Sequence, residues 1–191
     1  MKQAKVLTDV EFKRLMAVVG QGKHAARNRM AFMLSYLAGL RVGEIAALTV
    51  ADVVDGEGQV REQLRLTAAI TKGGHARVVF LNERLRKEIS RFLTECPPEA
   101  GSSQSSPLLF TQKKTAFSAN TLCQLMGLLY RQAGLDGATS HSGRRWFITR
   151  LAHAGVSVKV IMVLAGHKNL GTTQRYIDVR DDMMRAAVEV L

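Results

Sequence analysis

The stretch from Met30 to Leu40, MAFMLSYLAGL, constrains the fold more than any other part of this chain. It is apolar on most sides, so as a helix it has to be central, with other elements packed around it. Crossing a bilayer takes about 20 apolar residues. This run has about eleven and ends at Arg41, which excludes a membrane span here. The chain is long enough to wrap such a helix. Its 191 residues, 47% apolar and 23% charged, suit one domain with a real core, or at most two small ones. The N-terminus, MKQAKVLTDVEF, carries no apolar signal-peptide core.

Around the central helix, expected over 24–38, the other elements can be placed from their boundary residues. Thr8 followed by Glu11 is a capping-box pattern that opens a helix ending near Gly20-Gln21-Gly22. Gly39 breaks the central helix, and 41–48 reads as a short third one. Asp55-Gly56-Glu57-Gly58 is a turn signal. Residues 60–70 alternate in part (Leu64, Leu66, Ala68, Ile70) and 77–81 are β-rich. Thr71-Lys72-Gly73-Gly74-His75 between them marks a Gly-Gly hairpin in a small antiparallel sheet. Asn82 can cap a helix to about Cys96, with Leu85, Ile89, Phe92 and Leu93 as its apolar stripe. PPEAGSSQSSP, 97–107, is a polar loop; a linker between two domains is the alternative. Helices are expected beyond it over 118–133, 142–154, 158–165, 172–179 and 181–190. The fold class is mainly α with a small antiparallel three-stranded β-sheet (α+β). It forms a single domain over 1–191, with an extension at 1–7 and a tail helix at 181–191.

Charge narrows the partners. Lys and Arg number 27 against 16 Asp and Glu, giving +11 and a pI near 10.2. Such a surplus points to a polyanion, either nucleic acid or an acidic membrane surface. The candidates for a phosphate track are Arg84, Arg86, Lys87, Arg91, Lys113, Lys114, Arg145 and Arg150. Several chemistries lack support. The five histidines are scattered with no HExxH or HxH pattern, and Cys96 and Cys123 form neither a metal-ligand pair nor a disulfide framework, so they read as free thiols in a reducing cytoplasm. No metal site and no cofactor are expected. Gly20-Gln21-Gly22-Lys23 is too short for a phosphate loop, and Ser142-Gly143 is not set in GxSxG.

What stands out is a set of cationic and imidazole residues at helix ends. Arg41 and Glu44 are three apart, on one helical face, so the carboxylate can orient the guanidinium. His141 and Arg144 share that spacing at a helix start. His167 follows Gly166, Tyr176 lies nine residues on, and Lys72 projects from the hairpin tip. Taken singly, each has an ordinary reading: a structural ion pair, a cap, a solvated charge, a half-buried aromatic. In combination and in this order, they resemble the tyrosine recombinase (phage integrase) family. The surrounding text, LAGLRVGEIAALTVADV, HSGRRWFITRLAHAG and LAGHKNLGTTQRYIDV, resembles it too, and the likeness runs from about Leu7 to Val179.

The resemblance implies the recombinase catalytic fold and site-specific strand exchange on double-stranded DNA, by integration, excision or inversion, through a 3′-phosphotyrosine. It implies Tyr176 as nucleophile, Arg41 and Arg144 as phosphate donors, and Lys72 as general acid. His141 would be the acid/base partner of the tyrosine, His167 a phosphate hydrogen-bond donor, and Glu44 the support of Arg41. It also implies a cytoplasmic, nucleoid-associated bacterial or phage protein that self-associates on DNA. Most relatives carry a further N-terminal helical domain that clamps DNA. None is expected before Thr8, so the chain reads as an excised catalytic domain or a short member. His24-Ala25-Ala26-Arg27-Asn28 resembles the short inverting enzymes. The tail stripe Met183, Met184, Ala187, Val188, Leu191 would fold back on its own core or dock on a neighbouring copy. Two rivals remain open at this point: a type IB topoisomerase and a non-catalytic DNA-binding regulator.

Overall fold

The computed structural model describes residues 3–71, 74–96, 105–177, 179 and 181–189. Lys72 and most of the predicted polar loop lie outside the described residues. Helix α1 (Asp9–Gly20) begins as its sequence predicts. The Thr8 hydroxyl accepts from the Glu11 N–H at 3.2 Å, and the Glu11 carboxylate accepts from the Thr8 N–H at 2.9 Å. Helix α2 (Ala25–Leu37) is the central element, and every residue from Met30 to Leu37 is buried. There follow α3 (Val42–Ala47), α4 (Val50–Val53), β1 (Gln63–Leu66), a 3₁₀ turn at Ala68–Ile70, and β2 (Arg77–Phe80). Helix α5 (Glu83–Glu95) is capped by the Asn82 side chain, which accepts from the Leu85 N–H at 2.8 Å, and it buries Leu85, Ile89 and Phe92. The rest is helical: α6 (Ala119–Gln132), α7 (Ser142–His153), α8 (Val158–Ala165), α9 (Leu170–Gln174) and α10 (Asp181–Val188).

Two sequence-based expectations need correction. The sheet has two strands among the described residues, not three: β1 and β2 pair antiparallel, with Leu64 opposite Val79 and Leu66 opposite Arg77. Residues 50–53, just before Val54, are taken up in α4 by a Thr49–Asp52 capping box. A ladder with residues 60–62 therefore stops at the single bridge Val54–Val60. The helix predicted over 172–179 instead spans Leu170–Gln174. Its end tightens, with Tyr176 N–H bonded to Thr173 C=O and Ile177 N–H to Gln174 C=O, both at 3.0 Å. Tyr176 thus sits in a turn beyond the helix rather than on its face.

The apolar residues form two clusters. The larger surrounds α2 and draws on α1, α3, both strands, α5 and α6. The smaller joins Ile148 and Ala152 of α7 to Ile161 and Ala165 of α8, with Tyr176 and Ile177 at its edge. The tail helix α10 is mostly exposed. Met183, Ala186 and Ala187 border a groove of about 680 Å³ at the α7–α8 end, while Met184 and Val188 face solvent.

The contact between α2 and α7 depends on Gly143. A Cβ there would lie 2.7 Å from Tyr36 Cδ2 and 2.8 Å from Ser35 Cβ, and both of those residues are fully buried. Gly143→Ala is therefore expected to destabilise the fold by about 1–3 kcal/mol. Calorimetry should show the thermal midpoint falling by roughly 5 °C, with partial recovery in the Ser35→Gly double variant.

Candidate active site

Four segments meet where the two apolar clusters adjoin. Arg41 is the N-terminal cap residue of α3, two residues after Gly39 reverses the chain at φ +62°. Glu44, one turn into α3, is only 1% exposed. Its Oε1 accepts from Arg41 Nη1 at 2.9 Å, and its Oε2 accepts from the Arg41 backbone N–H at 2.8 Å. The same Oε2 accepts from Arg77 Nη2 at 2.7 Å. Burial pushes the Glu44 carboxyl up, but Arg77 and then Arg41 outweigh that and hold it below the ordinary carboxylate range.

Arg144, on the first turn of α7, is 6% exposed and pairs with no carboxylate among the described residues. Its Nη1 donates to Gly39 C=O at 2.7 Å and its Nη2 to Ala165 C=O. Two carbonyls, one ending α2's extension and one ending α8, fix the plane of the guanidinium and leave further N–H donors unspent. Burial, then the neighbouring Arg41 and Arg77, lowers its pKa to about 9, so it is still charged at neutral pH. Among the described residues, Arg41, Arg77 and Arg144 together face a single carboxylate, an excess of positive charge.

His167 follows Gly166, which closes α8 in the left-handed region at φ +63°. Its Nδ1 is 2.8 Å from Thr173 Oγ1, and Thr173 is fully buried. Burial first, then Arg144, Arg41 and Arg77, lowers the imidazole to about 4, so it is neutral at physiological pH. The Tyr176 ring stacks on His167 at 5.7 Å between centroids, and Arg145 lies 5.9 Å from the Tyr176 ring centroid. Tyr176 is also among the groups whose charge acts on Arg144. The sequence has three tyrosines. Tyr36 and Tyr130 are buried, bond to each other at 3.1 Å, and are pushed up by burial, which leaves Tyr176 as the accessible phenol.

Beside these groups opens a cleft of about 460 Å³ bordered by Arg41, His75, Arg77, His167, Lys168 and Thr172. Among the described residues, no three His, Cys, Asp or Glu side chains are grouped to hold a metal ion. No helix among them is long and apolar enough to cross a membrane.

A family profile described as the phage integrase family matches residues 5–183. The chain belongs to the phage integrase family. Among its relatives is the tyrosine recombinase XerA of Pyrococcus horikoshii, 33% identical over 189 residues, covering 97% of this chain and 60% of the relative. The chain thus spans about three-fifths of the curated relatives it matches. A crystal structure of a XerA recombinase shares the fold, with a TM-score of 0.76 at 22% identity, over 98% of this chain and 65% of that one. So does a Tn1549 transposon integrase in complex with a circular intermediate DNA, with a TM-score of 0.76 at 21% identity, over 100% and 67%.

Of the family-type residues named from sequence, the structure gathers Arg41, Glu44, Arg144, His167 and Tyr176. Lys72 lies outside the described residues. His141 is exposed at the N-terminal cap of α7, one turn ahead of Arg144. Among the charges proposed for DNA, Arg86 pairs with Glu62, Lys87 with Glu83, Arg91 with Glu95 and Arg150 with Asp9. Exposed pairs of this kind contribute little, about 0–1 kcal/mol. Arg84, Lys113 and Lys114 are exposed. Arg145 differs: it is half-buried, donates to Ala4 C=O at 2.8 Å and flanks Tyr176. Sequence reasoning missed Arg77 and Thr173. Arg77 had a signal, since it shares the inward phase of β2 with the buried Val79. Thr173 had none beyond its place between His167 and Tyr176.

A pH dependence follows from His167. Unfolded, it takes up a proton near 6.5; folded, it does so only near 4. Between those values the unfolded state binds more protons, so stability rises with pH and falls as pH is lowered through the window. Glu44 adds loss in the same direction at lower pH, through its own depressed pKa. The thermal midpoint should drop between pH 7 and pH 5, and His167→Gln should drop less. Imidazole NMR should place the His167 midpoint well below the usual value.

Proposed function

We propose that this chain acts as one catalytic domain that cuts and rejoins DNA at specific sites through a covalent bond between Tyr176 and a 3′-phosphate. The observation that carries this reading is the juxtaposition just described: three guanidiniums facing one carboxylate among the described residues, a neutral imidazole, and the accessible phenol stacked on that imidazole. A DNA phosphate supplies the missing anion.

The Tyr176 oxygen loses its proton and attacks phosphorus; the P–O5′ bond breaks and the 5′-oxygen takes up a proton. Charge builds on the non-bridging oxygens, and fixed Arg41 and Arg144 donors stabilise it without reorganising. In the tautomer that lets the Thr173 hydroxyl donate to Nδ1, His167 carries its proton on Nε2 and can donate it to the phosphate in a hydrogen bond. By family likeness Lys72, five residues before Arg77 in the sequence, protonates the leaving oxygen, and His141 takes the phenol proton. Rejoining is the reverse, with another 5′-hydroxyl as nucleophile. The ester energy stays in the phosphotyrosyl bond, so no ATP is consumed. The +11 charge and the exposed cations of α5 and the 113–114 turn serve double-stranded DNA. Self-association on DNA and action in the cytoplasm belong to the same reading.

Covalent trapping tests it. The protein is incubated with nicked suicide duplexes carrying the DNA that flanks its gene, and the mixture is run on a denaturing gel. A protein–DNA adduct is expected. Site-specific binding without an adduct on any such duplex overturns the reading in favour of a regulator. Relaxation of any supercoiled plasmid without site dependence overturns it in favour of a topoisomerase.

A further inference from the structure

We propose that Arg77 is a positioning residue for strand cleavage: it locks Glu44, and through it Arg41, to the Gly166–His167 turn. The inference rests on the function proposed above and deepens it. Arg77 ties β2 to both α3 and the end of α8. Arg77 starts β2, donates through Nη2 to Glu44 Oε2 at 2.7 Å, and donates through Nη1 to Leu164 C=O at 3.1 Å in the last turn of α8. Its aliphatic end lies against Gly166, where an added Cβ would fall 2.5 Å from Cδ and 2.9 Å from Nε. Gly166 C=O in turn accepts from Arg41 Nη2 at 3.4 Å, and Arg41 returns to Glu44. The contacts close a ring: Arg77, Glu44, Arg41, Gly166 and back to Arg77.

The ring explains features that sequence alone leaves arbitrary. Glycine is required at position 166 twice over, for its left-handed φ of +63° and because Arg77 occupies the space a side chain would take. A carboxylate is required at position 44 because it serves two guanidiniums, one of them also through a backbone N–H. Arginine suits position 77 because a planar fork can reach a carboxylate and a carbonyl in different directions, whereas an ammonium is a point donor. Both terminal nitrogens of Arg77 are engaged with protein, and its Nε, beneath Gly166, is buried with no hydrogen-bond partner among the described residues. The guanidinium is therefore committed to holding the other groups. Its effect on the reaction passes through Arg41 and His167, and a displacement of about 1 Å in such groups can cost about 10²-fold in rate.

The test uses the full chain with Arg77→Met, which keeps bulk and removes the donors, and Arg77→Lys. Three readouts are compared with wild type: the adduct rate on the suicide duplex, DNA affinity by anisotropy, and the His167 imidazole midpoint by NMR in free protein. In Arg77→Met the adduct rate should fall by about 10²-fold while affinity changes by less than about threefold. Its His167 midpoint should rise towards the ordinary value, because one of the cations that depress it is gone. Arg77→Lys should be intermediate in all three. Glu44→Gln should cost less in Arg77→Met than it does in wild type, the remainder being its bonds to Arg41. A wild-type rate in Arg77→Met, an unmoved His167 midpoint, or full additivity with Glu44→Gln overturns the inference. So does a rate loss that merely tracks the folded fraction on melting. No adduct from wild type is instead a failure of the proposed function; a change in the Gly166 and His167 amide shifts in Arg77→Lys, which keeps the charge, then still decides whether Arg77 holds the turn.

Discussion

Tyr176→Phe should abolish the covalent protein–DNA adduct while leaving the fold and the DNA affinity intact. The substitution removes one oxygen. The ring stack on His167, the approach of Arg145 to the ring, and the bond from Thr149 Oγ1 to the Tyr176 carbonyl at 3.3 Å need only the phenyl ring and the backbone. Affinity should therefore stay within about twofold of wild type, because removing a nucleophile changes the chemical step rather than ground-state binding. The thermal midpoint should stay within about 2 °C, as for a substitution at a half-exposed position. No other tyrosine can take over, since Tyr36 and Tyr130 are sealed in the core against each other. An adduct persisting in Tyr176→Phe would mean that another residue attacks the phosphate, and the role given to the stacked phenol would be wrong.

How much of this was legible in the sequence depends on the range of the interaction concerned. Local devices could be read directly. The Thr8–Glu11 box, the Asn82 cap and the Arg41–Glu44 pair each span three residues, and helical geometry alone brings such partners together. The buried run Met30–Leu37 was legible because no other role suits an apolar segment of that length. The number of strands was not, because a capping box at Thr49–Asp52 competes with pairing and wins locally, which alternation in 60–70 does not reveal. The end of α9 was not legible either. The sequence there continues helix-compatible, and the chain leaves the helix through a tightened turn that places Tyr176 against His167. Arg77 shows the limit most clearly. Its phase on β2 turns it inward with Val79, but only the tertiary fold brings α3 and the end of α8 to it.

The second large effect is expected from Arg144→Lys. Arg144 meets the site through a guanidinium whose plane is set by Gly39 C=O and Ala165 C=O, and it stays charged because its lowered pKa of about 9 still lies above neutrality. A lysine has one nitrogen where the arginine has three. It can satisfy one carbonyl or a phosphate oxygen, and the other buried carbonyl loses its donor. It also begins from a lower intrinsic pKa, about 10.4 against at least 12.5 for arginine. The same burial and the same Arg41 and Arg77 would push it down further, towards loss of its charge. The adduct rate should therefore fall by about 10²–10³-fold, as when a preorganised oxyanion donor is removed. The residual rate should decline further as pH is raised from 6.5 to 8, where the lysine gives up its proton and the wild-type arginine largely keeps its own. Gly39→Ala should weaken the same anchor from the other side. Its Cβ would lie 2.5 Å from Phe147 Cδ1 at a φ of +62°, so the carbonyl that holds Arg144 has to move. A lysine variant with the wild-type rate and the wild-type pH profile would show that the two carbonyls orient a structural guanidinium, and that the phosphate is stabilised elsewhere.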